Sequence, residues 1–274
     1  MYKFNVEKTT ADLINWIKDW FEENGKDSHA VIGISGGKDS TVVAALCVKA
    51  LGKDRVIGIM MPNGVQKDIS DSIHVCEFLD IENYTINIAD AVNDEIRNIE
   101  KSGLKPSKQM LTNLPARIRM TTLYAVAQSE GIKGRVSNNC NLSEGITGYS
   151  TKFGDAAGDF SPLSELTTVE IVQIGDYLGL PKELTHKTPI DGLNTNDDGS
   201  YVTDEQSMGV TYEQIHHYAR GDEKLTFEIS DYIAKKQKAN LFKLKPMPKF
   251  KPGIDCLESI DDFALYNKAK LILK

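Results

Sequence analysis

Gly33-Ile34-Ser35-Gly36-Gly37-Lys38-Asp39-Ser40 is the stretch of this chain whose residue types and spacing point most directly to chemistry. Gly36 and Gly37 stand where an apolar run, Ala30 to Ile34, turns into a helical pattern, so backbone N–H groups there are free to approach an anion closely. Ser40 falls in the first helical turn, where its hydroxyl, the unpaired amides and the helix dipole favour a polyphosphate. The Asp39 carboxylate would repel that anion unless a hard cation lay between them. Magnesium removes the conflict, because it takes one or two carboxylates together with phosphate oxygens. A Walker loop is excluded, since Lys38 is followed by Asp39 instead of a hydroxyl residue. By itself the loop says polyphosphate with magnesium.

The elements that must position this loop are legible in the apolar pattern. Leu13, Ile14, Ile17, Trp20 and Phe21 recur at helical spacing and Asn24-Gly25 ends them, which predicts a packing helix. Ala30 to Ile34 reads as a strand buried on both faces. A helix through Val42, Val43, Ala45, Leu46 and Val48 follows, closed by Gly52. The unit repeats in kind: a strand over Arg55–Met61, a helix over Asp68–Leu79, and a strand over Tyr84–Ile88. Helices are expected over Val92–Ser102 and Leu114–Glu130, a fourth strand over Gly134–Ser137, and a helix over Thr167–Leu178 closed by Gly179. Such alternation predicts an α/β fold, a Rossmann-like parallel sheet with helices on both faces and ligands at the carboxyl ends of the strands.

Two stretches read as irregular. Asn138 to Pro162 is rich in Gly, Asn, Ser and Asp and is expected to be a long functional loop. Thr188 to Gly209 is polar and carries Asp197, Asp198, Asp204 and Glu205; we expect a lid that orders over bound nucleotide. The Lys- and Pro-rich stretch Asn240–Asp255 is not expected to be a long helix. One domain over residues 1–274 is expected, with 240–274 as a Lys/Pro-rich tail.

With 41% hydrophobic and 26% charged residues and no apolar stretch long enough for a membrane span, the composition is that of a protein that folds in water. The N-terminus shows no basic start followed by an apolar run and cleavage site, so a cytoplasmic location is expected. Lys plus Arg number 32 against 39 for Asp plus Glu, a net charge of −7 that argues against a nucleic-acid-binding surface. Cys47, Cys76, Cys140 and Cys256 lie far apart without a CxxC pair, which predicts reduced thiols, mostly small buried hydrophobes.

A strand followed by Ser-Gly-Gly-x-Asp-Ser resembles the pyrophosphate loop of the N-type ATP pyrophosphatases. Within that group, Pro115-Ala-Arg117-Ile-Arg119-Met120, Asn141-Leu-Ser-Glu144 and Gly148-Tyr149-Ser-Thr-Lys152-Phe-Gly154-Asp155, in this order, are similar to the NAD synthetase family, as are Gly175–Pro181 and Thr203-Asp-Glu205. The resemblance implies an adenine nucleotide alpha hydrolase-like fold. It implies that Gly33, Ile34, Ser35, Gly36, Gly37, Lys38, Asp39 and Ser40 hold ATP, with Asn139 in that set where many relatives have Thr. Asp39 and Glu144 would bind Mg2+. Arg117, Lys152, Asp159 and Lys243 would contact deamido-NAD, and Asp39, Glu144 and Lys152 would form the catalytic group. Thr168 stands where many relatives have Lys, and Leu241-Phe242-Lys243 replaces a common His-Lys pair.

The implied reaction is attack of the nicotinic acid carboxylate of deamido-NAD on the α-phosphorus of ATP, giving an acyl adenylate and pyrophosphate, followed by ammonia at the acyl carbon. Adenylation exchanges an oxide leaving group for AMP, and no enzyme nucleophile is needed, Cys140 included. Free ammonia is the expected nitrogen source, with a separate glutaminase partner as the alternative, and a homodimer is implied. Two other readings stay open on sequence alone: a different ATP pyrophosphatase, and a non-catalytic nucleotide-sensing module.

Overall fold

The computed structural model describes residues 2–66, 68–195, 201–248 and 250, with the backbone alone for 190–195 and 201. The compact unit spans Met1–Leu244. Two helices and a strand open it: α1 (Val6–Asn24), β1 (His29–Gly33) and α2 (Lys38–Leu51). Asn5 caps α1 by accepting from the Lys8 N–H, and Gly25 stops it. After a short 3-10 turn come β2 (Val56–Met60), α3 (Ile69–Leu79), β3 (Glu82–Thr85), α4 (Ala89–Lys101), α5 (Lys108–Ala127) and β4 (Gly134–Val136). The remainder is α6 (Leu142–Thr147), α7 (Thr168–Tyr177), α8 (Lys182–Thr185), β5 (Ile190–Thr195), β6 (Tyr201–Thr203), α9 (Asp204–Met208), α10 (Tyr212–Arg220) and α11 (Phe227–Leu244).

β1 to β4 form one sheet in the order β3-β2-β1-β4, with every neighbour pair parallel. The period of two along a strand divides the core. Ala30 and Ile32 of β1 join one cluster with Ile17 and Phe21 of α1, Leu46 of α2 and Ile171 and Ile174 of α7. Val31, Ile57 and Ile59 face the opposite way and pack with Val92 of α4 and Met120 and Leu123 of α5. Helices therefore cover both faces, as the continuous apolar runs require. A third cluster of Ile146, Met208, Val210, Tyr212, Ile215 and Ile233 joins α6, α10 and α11 into a separate wall.

Four expectations need correction. The third strand is Glu82–Thr85 instead of Tyr84–Ile88: all four residues are exposed on a sheet edge, while Ile86 and Ile88 turn into the second core cluster and donate to Met60 O and Pro62 O. The alternation that suggested a strand thus marks core packing beyond the strand's end. Helix α5 starts at Lys108, before Leu114, because the Ser107 side chain caps it by accepting from the Met110 N–H at 3.2 Å, and Pro115 lies inside it. The expected loop 138–162 contains α6, opened by a capping box between Asn141 and Glu144. Helix α11 reaches through Asn240 to Leu244 and ends before Pro246, so the tail begins later than expected.

Cys47 and Cys76 are buried free thiols and Cys140 is a partly exposed one. Cys256, Asp197, Asp198, Lys249, Lys251 and Pro252 lie outside the described residues, as do 196–200 of the expected lid. Among the described residues no helix is long and apolar enough to cross a membrane.

Candidate active site

Strand order reverses between β1 and β4, since β2 and β3 lie on one side of β1 and β4 on the other. Loops leaving the carboxyl ends of two such strands diverge to opposite faces and open a crevice there. The loop after β1 is Ile34–Gly37, and the loop after β4 is Ser137–Asn141. Asn139 ties them together: its amide nitrogen donates to Gly33 O at 3.0 Å, and its carbonyl accepts from the Ser137 hydroxyl at 2.6 Å.

In the first loop, Gly36 adopts φ +77°, a left-handed conformation suited to glycine. A Cβ there would stand 2.8 Å from Asp71 Cβ and 2.9 Å from the Ser72 nitrogen, so α3 backs the loop closely. The Ser40 hydroxyl donates to Gly37 O at 3.1 Å and accepts from Ser35 N–H at 3.3 Å, and Ser35 Oγ accepts from Gly37 N–H at 3.2 Å. These bonds hold the loop open at the start of α2, where the amides of the first turn lack helical partners. Lys187, at the foot of the 188–209 segment, donates to Asp71 at 2.6 Å and Asp68 at 2.9 Å.

The second loop brings Glu144 to Asp39. Asn141 Nδ2 donates to Asp39 Oδ1 at 3.1 Å, its Oδ1 accepts from the Glu144 N–H at 3.0 Å, and its own N–H donates to Glu144 Oε2 at 3.0 Å. Asn141 is 2% exposed, so one buried amide sets both acids. Burial, followed by the charge of Asp39, raises the Glu144 pKa to about 8, partly offset by Lys38. Lys38 Nζ lies 3.0 Å from Asp39 Oδ2. Burial alone would lower its pKa, but Asp39, Glu144 and Asp204 outweigh that and hold it above the usual lysine value.

A second group lies on α5, the 148–155 loop and the end of α11. Arg117 Nε donates to Lys152 O at 3.3 Å, and Lys152 Nζ donates to Phe242 O at 3.0 Å between the rings of Phe153 and Phe242. Lys243 Nζ donates to Gly148 O at 2.7 Å and Ser150 O at 3.0 Å, which fixes the loop that carries Lys152. Asp159 stands with neither group. It accepts from the Tyr124 hydroxyl at 3.1 Å and from the Val136 N–H at 2.8 Å, and it lines a cleft of about 390 Å³ with Ser28, Lys133 and Arg135.

The model that describes NAD synthase matches residues 9–251. The chain belongs to the NAD synthase family. It is similar to the NH(3)-dependent NAD(+) synthetase of Pyrococcus furiosus, 39% identical over 215 residues that cover 78% of each chain. It is similarly related to the enzyme of that name from Thermococcus sibiricus, 36% identical over 78% of this chain and 80% of the relative. Among solved structures, NMN synthetase from Francisella tularensis aligns with a TM-score of 0.80 and 32% identity over 92% of this chain and all of that one. The NH3-dependent NAD synthetase from Campylobacter jejuni aligns at 0.73 and 27%, over 91% and all. The family's adenine nucleotide alpha hydrolase-like fold is thus the one expected from the loop and the strand pattern.

Sequence reasoning missed Asn141 as a functional residue, although Asn-x-x-Glu at a helix start is the capping-box pattern and would have flagged it. It also left Arg119 without a role. That guanidinium donates from Nε to Met61 O at 3.1 Å at the crevice side of β2, and burial lowers its pKa. Tyr212, whose ring faces Lys38 from another wall, carried no local signal, whereas its partner Asp204 belongs to the Thr203-Asp-Glu205 motif and the acidic 188–209 segment.

Proposed function

We propose that this chain amidates deamido-NAD to NAD with ammonia and ATP, through an acyl adenylate, releasing AMP and pyrophosphate. The observation that carries this is the pair Asp39 and Glu144, set by one buried Asn141 beside a phosphate loop at the strand-order reversal. Among the described residues no cluster of three or more His, Cys, Asp or Glu is arranged to hold a metal alone. Two acids set by one asparagine next to a polyphosphate loop, with burial and the Asp39 charge raising the Glu144 pKa, fit Mg2+, which takes one or two carboxylates together with phosphate oxygens and water. When bound, Mg2+ would neutralise charge developing on the phosphates.

The remaining roles follow from position. Amides of the Ser35–Ser40 turn bind the phosphates, and Asn139 keeps that turn in register with β4. The deamido-NAD carboxylate attacks the α-phosphorus, forming the C–O–P link as the bond to pyrophosphate breaks. Ammonia then attacks the acyl carbon, AMP leaves with one carboxylate oxygen, and the extra proton passes to solvent. Lys152 and Arg117 hold anionic groups of the dinucleotide and Lys243 fixes their loop, while Asp159, which stands apart from them, takes a ribose or amide from the separate cleft it lines. Catalysis is positioning and electrostatics. We place the protein in the cytoplasm as a homodimer using free ammonia, one catalytic domain followed by a tail.

A second reading is favoured by the NMN synthetase likeness: the same chemistry on a nicotinate mononucleotide. One assay decides. Protein, ATP, Mg2+ and ammonium are mixed with deamido-NAD or with the mononucleotide, and pyrophosphate and the amide product are followed. We expect faster turnover with deamido-NAD; preference for the mononucleotide replaces the substrate, and no pyrophosphate from either, with folded protein, overturns the enzyme. Glutamine in place of ammonium is expected to give no product.

A further inference from the structure

Lys38 is committed to partners inside the protein. Its side chain is 6% exposed and its Nζ sits 3.0 Å from Asp39 Oδ2. The same Nζ lies 5.0 Å from the centroid of the Tyr212 ring. Tyr212 is itself anchored: its hydroxyl donates to Asp204 Oδ2 at 3.1 Å, and the Tyr149 hydroxyl donates to Asp204 Oδ1 at 3.2 Å. Asp204 is 8% exposed and adds its field at Lys38 to those of Asp39 and Glu144. The ammonium thus lies among three carboxylates contributed by α2, α6 and α9, with an aromatic face holding it in place.

A buried charge without a partner is costly, and Lys38 Nζ is paired with Asp39 at 3.0 Å while the acids Glu144 and Asp204 act on it from two other walls. We propose that Lys38 is a tethered counter-ion for these carboxylates: it takes the electrostatic place of a divalent cation in the nucleotide-free site, so that the metal binds well only together with ATP. A free dication approaching Asp39 and Glu144 meets a fixed ammonium already paired with Asp39. When it arrives with a triphosphate, the phosphate oxygens supply the extra negative charge that both cations need. Lys38 thereby makes metal and nucleotide binding interdependent, and it acts on the phosphates through Asp39 instead of as a free lysine contact. This inference rests on the assignment of Asp39 and Glu144 as the metal carboxylates.

Paramagnetic resonance of Mn2+ reads binding without turnover. Free Mn2+ is titrated against wild type, Lys38→Met, Lys38→Arg and Asp39→Asn, each with and without a non-hydrolysable ATP analogue. Without nucleotide, wild type and Lys38→Arg are expected to bind weakly and Lys38→Met at least about tenfold more tightly, because a charge within contact distance is removed. With the analogue, wild type tightens and the gap closes. Lys38→Gln makes the same comparison if Lys38→Met does not fold. Tight Mn2+ binding by nucleotide-free wild type, or equal affinity in wild type and the neutral variants, overturns the counter-ion role and leaves the metal carboxylates standing. If no protein binds Mn2+ even with the analogue, or Asp39→Asn binds as wild type does, the metal assignment fails and the inference with it.

Discussion

The side-chain amide of Asn141 donates to Oδ1 of Asp39 across 3.1 Å, linking the loop after β4 to the first turn of α2. The other end of the same amide accepts from the Glu144 N–H. Asn141→Ala is expected to cost about 1 kcal/mol through the lost cap of α6. Its effect on turnover is larger, about tenfold to a hundredfold, because both acids lose their fixed position. Chemical denaturation and steady-state rates, with the Mg2+ requirement shifted to higher concentration, check the pair of outcomes.

Gly36→Ala tests the loop itself. Its φ of +77° and the approach of the Ser72 backbone to 2.9 Å leave no room for a Cβ. A cost on the order of 1 to 3 kcal/mol is expected, with weakened ATP binding measured by calorimetry. Wild-type stability and affinity in the variant would contradict the loop geometry.

Glu144 sets a pH dependence. Its carboxyl is raised from 4.5 to about 8, so between these values the folded, metal-free protein keeps a proton that the unfolded chain has released. Stability from this group is therefore present at low pH and falls as pH rises through that window. Glu144→Gln keeps the capping box and carries no charge. The melting temperature of Glu144→Gln is expected to gain on wild type steadily from pH 5 to pH 8 without metal, and Mg2+ with nucleotide is expected to narrow the gap. A gap independent of pH contradicts the assignment.

Much of this was legible in residue order. The runs Ala30–Ile34 and Val56–Met60 are apolar at every position but glycine, which marks strands covered on both faces, and Gly52 and Gly179 stand where α2 and α7 end. Asp39 and Glu144 were found as a pair through motif resemblance, since their sequence separation hides that one asparagine joins them. Tyr84–Ile88 misled because Ile86 and Ile88 alternate toward the core after sheet pairing in β3 has ended. Lys38 illustrates the limit: its type and place in the loop suggest a phosphate contact. Its direction depends on Tyr212 and Asp204, brought in by the packing of α9 and α10.

The central claim is that the acid substrate is activated as an adenylate at this site. Deamido-NAD labelled with 18O in its carboxylate, incubated with the protein, ATP, Mg2+ and ammonium, reads that step directly by mass spectrometry of the products. One labelled oxygen is predicted to appear in AMP for each NAD formed, with none in pyrophosphate. Label in inorganic phosphate alongside ADP, or AMP free of label, would contradict the adenylate.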